Sequence, residues 1–465
     1  MSRRYKNVIS LSKNSFLAIF CALILTYFVA SPGSGQNEPS GNQSSGPTSS
    51  LDAEPTALPW YKNITTHWGG RFRGTGLASR ITDDTIFEPV GTGTYYDAST
   101  NFRLTNETFF TDAVFTEVHY ELLWFGGDSI RKQNELKNIF PSLADNLLFL
   151  GAPLTDDRRL MDLTDIIKEE DSWFLAQRLD RLYLALLGDQ GSLRVGRQAI
   201  TWGNGFVFNP MDLFNPFPPT AIDRDYKVGD DMINAQYSLK HIGDIQLLYV
   251  ARRNPENDEV EFDQASLAGK LHFALGTNEF DAMVSKHFED HVIGLGSRGY
   301  LGDTAWRLDA TGTFLDDGDD YLSLVANMDY SWVWFKKNLY GFIEYYYNGL
   351  GKDDYADALL DPNINARLAR GELFGLGRHY LSGHLQMELH PLVKVSATSI
   401  NNIEDPSGII QPYAVWEITQ NLQMTGGLNI FYGDKGTEFG GFKLPGTDLR
   451  NKAPDRAYLW FIYYF

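Results

Sequence analysis

From Trp60 to Phe465 the chain breaks into about eighteen stretches of roughly ten residues, within which apolar and polar side chains alternate one for one. Leu308 and Ala310 alternate with Asp309 and Thr311. Leu322, Leu324 and Met328 alternate with Ser323, Asn327 and Asp329, and Leu428 and Ile430 with Asn429. Successive strand residues point to opposite faces, so each stretch reads as a β-strand with one greasy face and one wet one. Two architectures use such strands. A sandwich hides the greasy faces in a core; a closed barrel in a membrane turns them outward to lipid. Tyr and Trp gather near the strand ends, where a barrel places rings at the membrane interfaces.

The connections favour the barrel. Tight links at 111–112, 188–191, 243–244, 276–278, 302–303, 336–338, 390–391 and 420–421 alternate with long or acidic ones. The latter fall at 81–96, 127–171, 204–229, 253–259, 315–320, 349–371, 402–408 and 433–455. Short turns on one side and long loops on the other is the asymmetry of outer-membrane barrels, and two ends on the same side require an even strand number. The fold class expected is therefore all-β, a transmembrane antiparallel up-and-down barrel of about eighteen strands.

Composition agrees. Aromatic residues make up 14% of the chain, yet mean hydropathy is only −0.27, because alternation disperses the apolar residues. No segment after the N-terminal one approaches the roughly 20 uncharged residues of a spanning helix. A net charge of −19, with no basic tract, excludes a nucleic-acid partner that would need clustered Lys and Arg.

The ends carry sorting signals. Arg3, Arg4, Lys6 and Lys13 precede an apolar core from Phe16 to Ala30 and small residues from Ser31 to Gly35, the plan of a cleaved secretory signal over residues 1–35. The one cysteine, Cys21, lies in that core, so no disulfide is expected in the exported chain. Residues 36–59, rich in Ser, Gly, Pro, Asn and Gln, read as a disordered periplasmic lead-in to a barrel over 60–465. At the other end Phe465, Tyr463 and Phe461 share one parity with Leu459 and Ala457. This resembles the terminal strand that the barrel-assembly machinery reads, which implies a bacterial outer-membrane location.

The run from Leu193 to Gly203, with Gly196-Arg197-Gln198 at its centre, is followed by Asn209-Pro210 and Asn215-Pro216-Phe217. It resembles the Gly-Arg-Gln strand of alginate-export-type barrels and related porin-like families. The resemblance implies a monomeric channel of eighteen strands. A dense ring of lumenal arginines is not evident in the sequence, which argues against a strongly anionic polymer as the solute.

Placing the polar parity inside gives a list of lumen residues. Early strands contribute Arg71, Arg73, Arg103 and Arg194. The apolar phase slips near Gly196, and a β-bulge there would carry Arg197 inward as well. Later strands contribute Asp281, Asp309, Asp329, Glu344, Glu388 and Glu417, so a basic wall is expected to face an acidic one. The plainer reading is that these groups pair with strand neighbours and keep the interior hydrated. Arg71, Arg73 and Arg103 fall on adjacent strands and need carboxylates such as Glu107 and Glu117, or an anionic solute, close by.

Two loops are candidates to narrow the pore, the alternative for the first being that it packs against the rim or a neighbouring loop. Loop 204–229 holds Phe206, Phe208, Phe214 and Phe217 among Pro210, Pro216, Pro218 and Pro219, a stiff aromatic segment better buried than waving in water. Its rings suggest a track for sugars. Loop 127–171 is long enough for short helices, with Leu147, Leu148, Leu150, Leu160 and Met161 as apolar contacts.

No cofactor or metal site is expected. The acidic tip Asp316 to Asp320 lacks the spacing of a calcium loop and reads as solvated, with lipopolysaccharide and its bound cations as neighbours. His287, Glu289 and His291 read as an exposed loop without metal-protease spacing, and no nucleophile motif occurs, so no enzyme is expected. Two readings stay open: a channel for small hydrophilic solutes or saccharides, and a non-conducting binding or structural barrel serving polysaccharide export.

Overall fold

The structure is a computed structural model that describes residues 9–10, 64–139, 154–214, 216, 226–240 and 242–465. Nearly all of the expected signal peptide, the whole lead-in, Leu147, Leu148, Leu150 and Phe217 lie outside the described residues.

Eighteen antiparallel strands close on themselves. The first four are β1 (Thr65–Ile81), β2 (Gly93–Thr111), β3 (Val114–Gly127) and β4 (Trp173–Gly188). The wall continues through β5 (Gly191–Gln198), β6 (Asp230–Ser238), β7 (Gly243–Val250), β8 (Ser266–Leu275) and β9 (Asn278–His287). Next come β10 (Asp290–Leu301), β11 (Thr304–Phe314), β12 (Tyr321–Trp334) and β13 (Lys337–Asn348). The last five are β14 (His379–His390), β15 (Val393–Asn402), β16 (Ser407–Glu417), β17 (Leu422–Tyr432) and β18 (Asp455–Tyr464). Closure pairs β18 with β1, Tyr464 opposite Arg71 and Asp455 opposite Arg80.

The tight turns lie together at one end of the barrel with the start of β1 and the end of β18. That end is periplasmic in outer-membrane barrels. The long connections lie at the other end, with one exception. β9 and β10 are joined there by Phe288 and Glu289 alone, Phe288 at φ 56°. His287 is thus not in an exposed loop. It is buried, with Nε2 2.9 Å from Glu372 Oε1 and Nδ1 2.9 Å from Ser266 Oγ.

Burial runs opposite to that of a water-soluble protein. On β11, Asp309 is 0% exposed and its neighbour Leu308 41%. The same inversion holds for Asn234 against Ile233, Asn327 against Met328 and Glu344 against Ile343. Val195, Leu247, Leu295, Leu428 and Phe461 continue the exposed apolar face around the ring. Hydrocarbon accepts such a surface, and a closed ring leaves no backbone group unpaired in it.

Two stretches depart from the alternation. β18 is apolar on both faces, with Tyr458, Trp460 and Ile462 buried inside and Leu459, Phe461 and Tyr463 exposed. β4 carries one extra residue: His119 lies opposite Arg181 and Tyr120 opposite Leu179, leaving Asp180 bulged. The bulge expected at Gly196 is not there. Both registers of β5 run unbroken through Gly196, and the phase slip is absorbed by its φ of 127°. Where β5 stops, the short strand Thr164–Glu170 pairs with the outer half of β4.

Among the described residues, three α-helices occupy the outer connections. α1 (Asp128–Ile139) follows β3, in the loop expected to hold short helices. α2 (Tyr355–Ala358) and α3 (Pro362–Arg370) lie between β13 and β14, N-capped by Asp354 and Asp361. A two-residue parallel pairing joins Ile9–Ser10 to Met161–Asp162, one that a chain cleaved near residue 35 would lose.

Candidate functional site

The connection from β5 to β6 turns into the barrel. Gly203 has φ 86°, and a Cβ on it would lie 2.0 Å from Asn209 Oδ1. Asn209 Nδ2 in turn donates to Trp202 O at 2.8 Å, closing a tight coil. The coil presents donors to the far wall. Asn204 N and Nδ2 donate to the two carboxylate oxygens of Asp309 on β11 at 2.5 and 2.7 Å. Glu344 on β13 accepts three consecutive backbone N–H groups, from Phe206 (2.6 Å), Val207 (3.0 Å) and Phe208 (2.8 Å). Asn327 Nδ2 on β12 bridges Asn204 O and Glu344 Oε2, both at 3.1 Å. Successive N–H groups aimed at one anion form a backbone nest, here filled by a side chain of the same protein.

The phenylalanines follow their backbone. Phe206 stacks on Phe342 with ring centroids 4.6 Å apart, and Phe208 on Tyr346 at 4.5 Å with Tyr380 at 5.0 Å. Phe214 meets Trp202 edge-on at 5.2 Å. Trp202, Met211 and Phe214 pack against Met232, Leu248, Met283 and Val292. The inner face of β6–β10 is therefore partly apolar where a polar lumen was expected, because the loop and not water covers it. Phe208 is buried in this packing, whereas Phe206 stays 40% exposed.

The returning half of the same connection reaches the opposite wall. The Tyr226 ring lies under the guanidinium groups of Arg71 (4.5 Å) and Arg103 (3.6 Å), and its hydroxyl bonds Glu121. Lys227 O accepts from Arg181 Nη2 at 2.7 Å, and Gly229 N donates to Asp180 Oδ1 at 3.2 Å. One connection thus touches β11–β14 on one side and β1–β4 on the other, spanning the interior.

Arg71 and Arg103 stand directly opposite each other on β1 and β2, and both are buried. The carboxylates that hold this cluster are Glu121 and Asp180, not Glu107 and Glu117. Arg103 Nη1 lies 3.0 Å from Glu121 Oε1 and Nη2 2.8 Å from Asp180 Oδ2. Arg178 Nε donates to Glu121 Oε2 at 2.9 Å, and Arg181 Nη1 to Asp180 Oδ2 at 2.6 Å. Glu117 instead pairs with His119 at 2.9 Å, and Glu107 is exposed. Nothing in the alternation marks Asp180, because the bulge brings it inward out of phase. Arg73 is half-buried, opposite Asn101.

The remaining sequence candidates lie apart from this cluster. Arg194 is half-buried opposite Asn234. Arg197 is 0% exposed at the outer end of β5. It bonds Asp231 (2.9 Å), Asp156 (2.8 Å) and Met161 O (2.5 Å). Burial alone would raise the Asp156 carboxyl, but Arg197 and Arg159 outweigh it and hold the group well below the usual carboxylate range. Asp329 pairs with Arg307, whose guanidinium lies 4.5 Å over the Phe206 ring. Glu388 accepts from Asn338 Nδ2 at 3.1 Å. Asp309 and Glu344 on the one wall are thus engaged by loop donors, and Arg103 on the other by Glu121 and Asp180. Asp281 is buried beside His272, 3.1 Å away, and Glu417 accepts from Gln423 at 2.8 Å.

At the terminus, Phe465 exchanges backbone hydrogen bonds with Gly70 at 2.9 and 3.0 Å, and its ring stacks on Phe102 at 6.0 Å. Phe461, Tyr463 and Phe465 all face outward and are exposed.

No protein-family model matches the chain, and no curated protein matches it in sequence. Solved barrels do share its architecture. OccAB1 of Acinetobacter baumannii is 9% identical, with 86% of this chain and 96% of that one covered and a TM-score of 0.47. A BenF-like porin of Pseudomonas fluorescens is 12% identical over 86% and 98%, TM-score 0.46. Wzi of Escherichia coli, a carbohydrate-binding outer-membrane barrel involved in capsule assembly, is 11% identical over 84% and 83%, TM-score 0.47. At such identities the likeness is one of fold alone. The closed eighteen-strand ring, greasy outside and polar or loop-packed within, is a transmembrane barrel of the bacterial outer membrane.

Proposed function

We propose that the protein is an outer-membrane channel for small hydrophilic solutes, saccharides among them, narrowed at mid-depth by the connection between β5 and β6. The observation that carries this reading is the bracing of that connection against both walls, at Glu344 on one side and around Arg103 on the other. A loop fixed in this way sets a constriction and leaves the rest of the cross-section to solute. Arg71, Arg73 and Arg103 give the constriction a basic side.

In the same reading the first 35 residues are a removed export signal, Phe461, Tyr463 and Phe465 address the barrel-assembly machinery, and the barrel works as a monomer among lipid and lipopolysaccharide. No catalytic role is assigned. Kinship with alginate-export-type barrels through Gly196-Arg197-Gln198 belongs to this proposal too.

The second reading, a non-conducting binding or structural barrel in polysaccharide export, is favoured by the same double bracing if the loop shuts the lumen entirely. Planar bilayers separate the two. The channel reading expects discrete conductance steps from purified, folded protein; persistent silence from such protein refutes it and supports the closed barrel.

A further inference from the structure

We infer that His119 is a proton switch for the connection between β5 and β6: neutral, it helps to hold Arg103 against the Tyr226 ring, and charged, it pushes Arg103 out of that seat and loosens the constriction. The inference rests on the channel reading above.

The neighbours of His119 fix its tautomer. On β3 it stands two residues from Glu121 and shares the inward face. Its Nδ1 lies 2.7 Å from Arg103 Nη2 on β2, and its Nε2 2.9 Å from Glu117 Oε1. A guanidinium donates and never accepts. Nδ1 therefore turns its lone pair to Arg103, and the one ring proton sits on Nε2, where the Glu117 carboxylate receives it. A second proton has only Nδ1 to go to, and there it meets the Nη2–H of Arg103. Protonation turns a hydrogen bond into a donor–donor clash between two cations.

Arg103 is the side chain through which the returning half of the connection leans on this wall. Its Nη2 is shared between His119 and Asp180 Oδ2, its Nη1 reaches Glu121 Oε1, and the centre of the Tyr226 ring is 3.6 Å from its guanidinium carbon. The Tyr226 hydroxyl bonds the same Glu121. A displaced Arg103 thus unseats Tyr226.

The other charged groups around His119 are already engaged. Arg181 on β4 lies directly opposite it, and Arg181 and Arg178 pair with Asp180 and Glu121. Arg71 on β1 faces Arg103 and shares the Tyr226 ring. Glu117 gives its other oxygen to the Tyr183 hydroxyl on β4, and Glu107 on β2 is exposed to water.

The two partners of the ring therefore pull in opposite directions: Glu117 favours a charged His119 and Arg103 a neutral one. Moving Arg103 away resolves the conflict. The proton then binds the displaced arrangement better than the seated one, and that difference couples its uptake to release of the loop. The His119 side chain is 18% exposed, so lumenal water delivers the proton.

The test compares conductance in planar bilayers between about pH 8 and about pH 5, the span over which histidine side chains change charge. Wild type should give larger, noisier steps at the acid end. His119→Gln, whose amide offers an acceptor to Arg103 and a donor to Glu117, should lose this change and keep the alkaline behaviour. His119→Lys should show the acid behaviour throughout, and His272→Gln and His384→Gln should respond as wild type does. Thermolysin cleavage within 204–229 of the protein in micelles, scaled to an unfolded substrate at each pH, reads the loop without current. It should rise on acidification in wild type and stay flat in His119→Gln. Should that variant fail to fold, Glu117→Gln serves: without the carboxylate that favours the charged ring, the rise should move to lower pH.

A pH response that survives in His119→Gln, one abolished by His272→Gln or His384→Gln, one that Glu117→Gln leaves in place, or a wild type flat in both measurements overturns the switch and leaves the channel standing. Silence in bilayers with the cleavage response intact overturns the channel reading and leaves the switch.

Discussion

Glu344 on β13 receives the backbone N–H of Phe208 at 2.8 Å, although Phe208 belongs to the connection that leaves the wall at β5, eight strands earlier in the ring. The same carboxylate takes the N–H groups of Phe206 and Val207, so one buried side chain fixes the innermost turn of the loop. Glu344→Ala strands three backbone donors, of which the buried Phe208 N–H alone should cost about 1–3 kcal/mol. The expected outcome is a lower unfolding temperature and cleavage of the loop by added protease. Glu344→Gln, whose amide oxygen still accepts, should lie between that variant and wild type. Heat-modifiable mobility on gels reads both.

Arg103, Glu121, Asp180 and Arg178 form one buried charge network, and removing a single member leaves its partners uncompensated. Glu121→Gln or Arg103→Met should each cost about 3–5 kcal/mol in denaturant unfolding. The double variant should cost less than the sum, with a coupling of about 1–3 kcal/mol. Strict additivity in that cycle contradicts the pairing described here.

Acid should release the outer helical connection before it harms the barrel. Burial by itself would raise the Glu372 carboxyl, but His287, Arg370 and Arg367 outweigh it and bring the group down to about 2 from an ordinary 4.5. A depressed folded value means that the stabilisation is complete above about pH 4.5 and lost as pH falls toward 2. Pepsin cleavage within 349–378 should therefore rise steeply over that window. Glu372→Gln should show the higher cleavage already at pH 4.5, with a flatter profile below it.

Gly196 marks where the wall and the loop part. Its φ is 127°, and a Cβ would lie 2.2 Å from Leu182 O across the β4–β5 ladder. Gly196→Ala should cost about 1–3 kcal/mol through strain and weakened pairing. Gly312→Ala on β11, with nothing closer than 3.8 Å, should change folding yield little. Refolding into detergent micelles, followed by tryptophan fluorescence, compares the two.

The barrel was legible because its rule is local. Leu308 beside Asp309 or Ile343 beside Glu344 already says which residue meets lipid, and the turn lengths say which end is which. The loop's inward fold was legible in outline, since four phenylalanines and four prolines make a poor solvated segment. Its anchors were not: Asp309 and Glu344 read only as lumen charges, because their partners are backbone N–H groups far away in sequence. Asp180 was hidden by a bulge that breaks the very alternation used to find inward residues. The apolar inner faces of β6–β10 were hidden as well, since Met232 and Leu248 find their partners only once the loop is in place.

Single-channel recording in planar bilayers, comparing wild type with Asp309→Ala/Glu344→Ala, tests the pinned-loop channel most directly. The account predicts discrete steps for wild type and larger, noisier steps for the double variant, whose loop has lost its far-wall acceptors. Equal conductance in both folded proteins would contradict it.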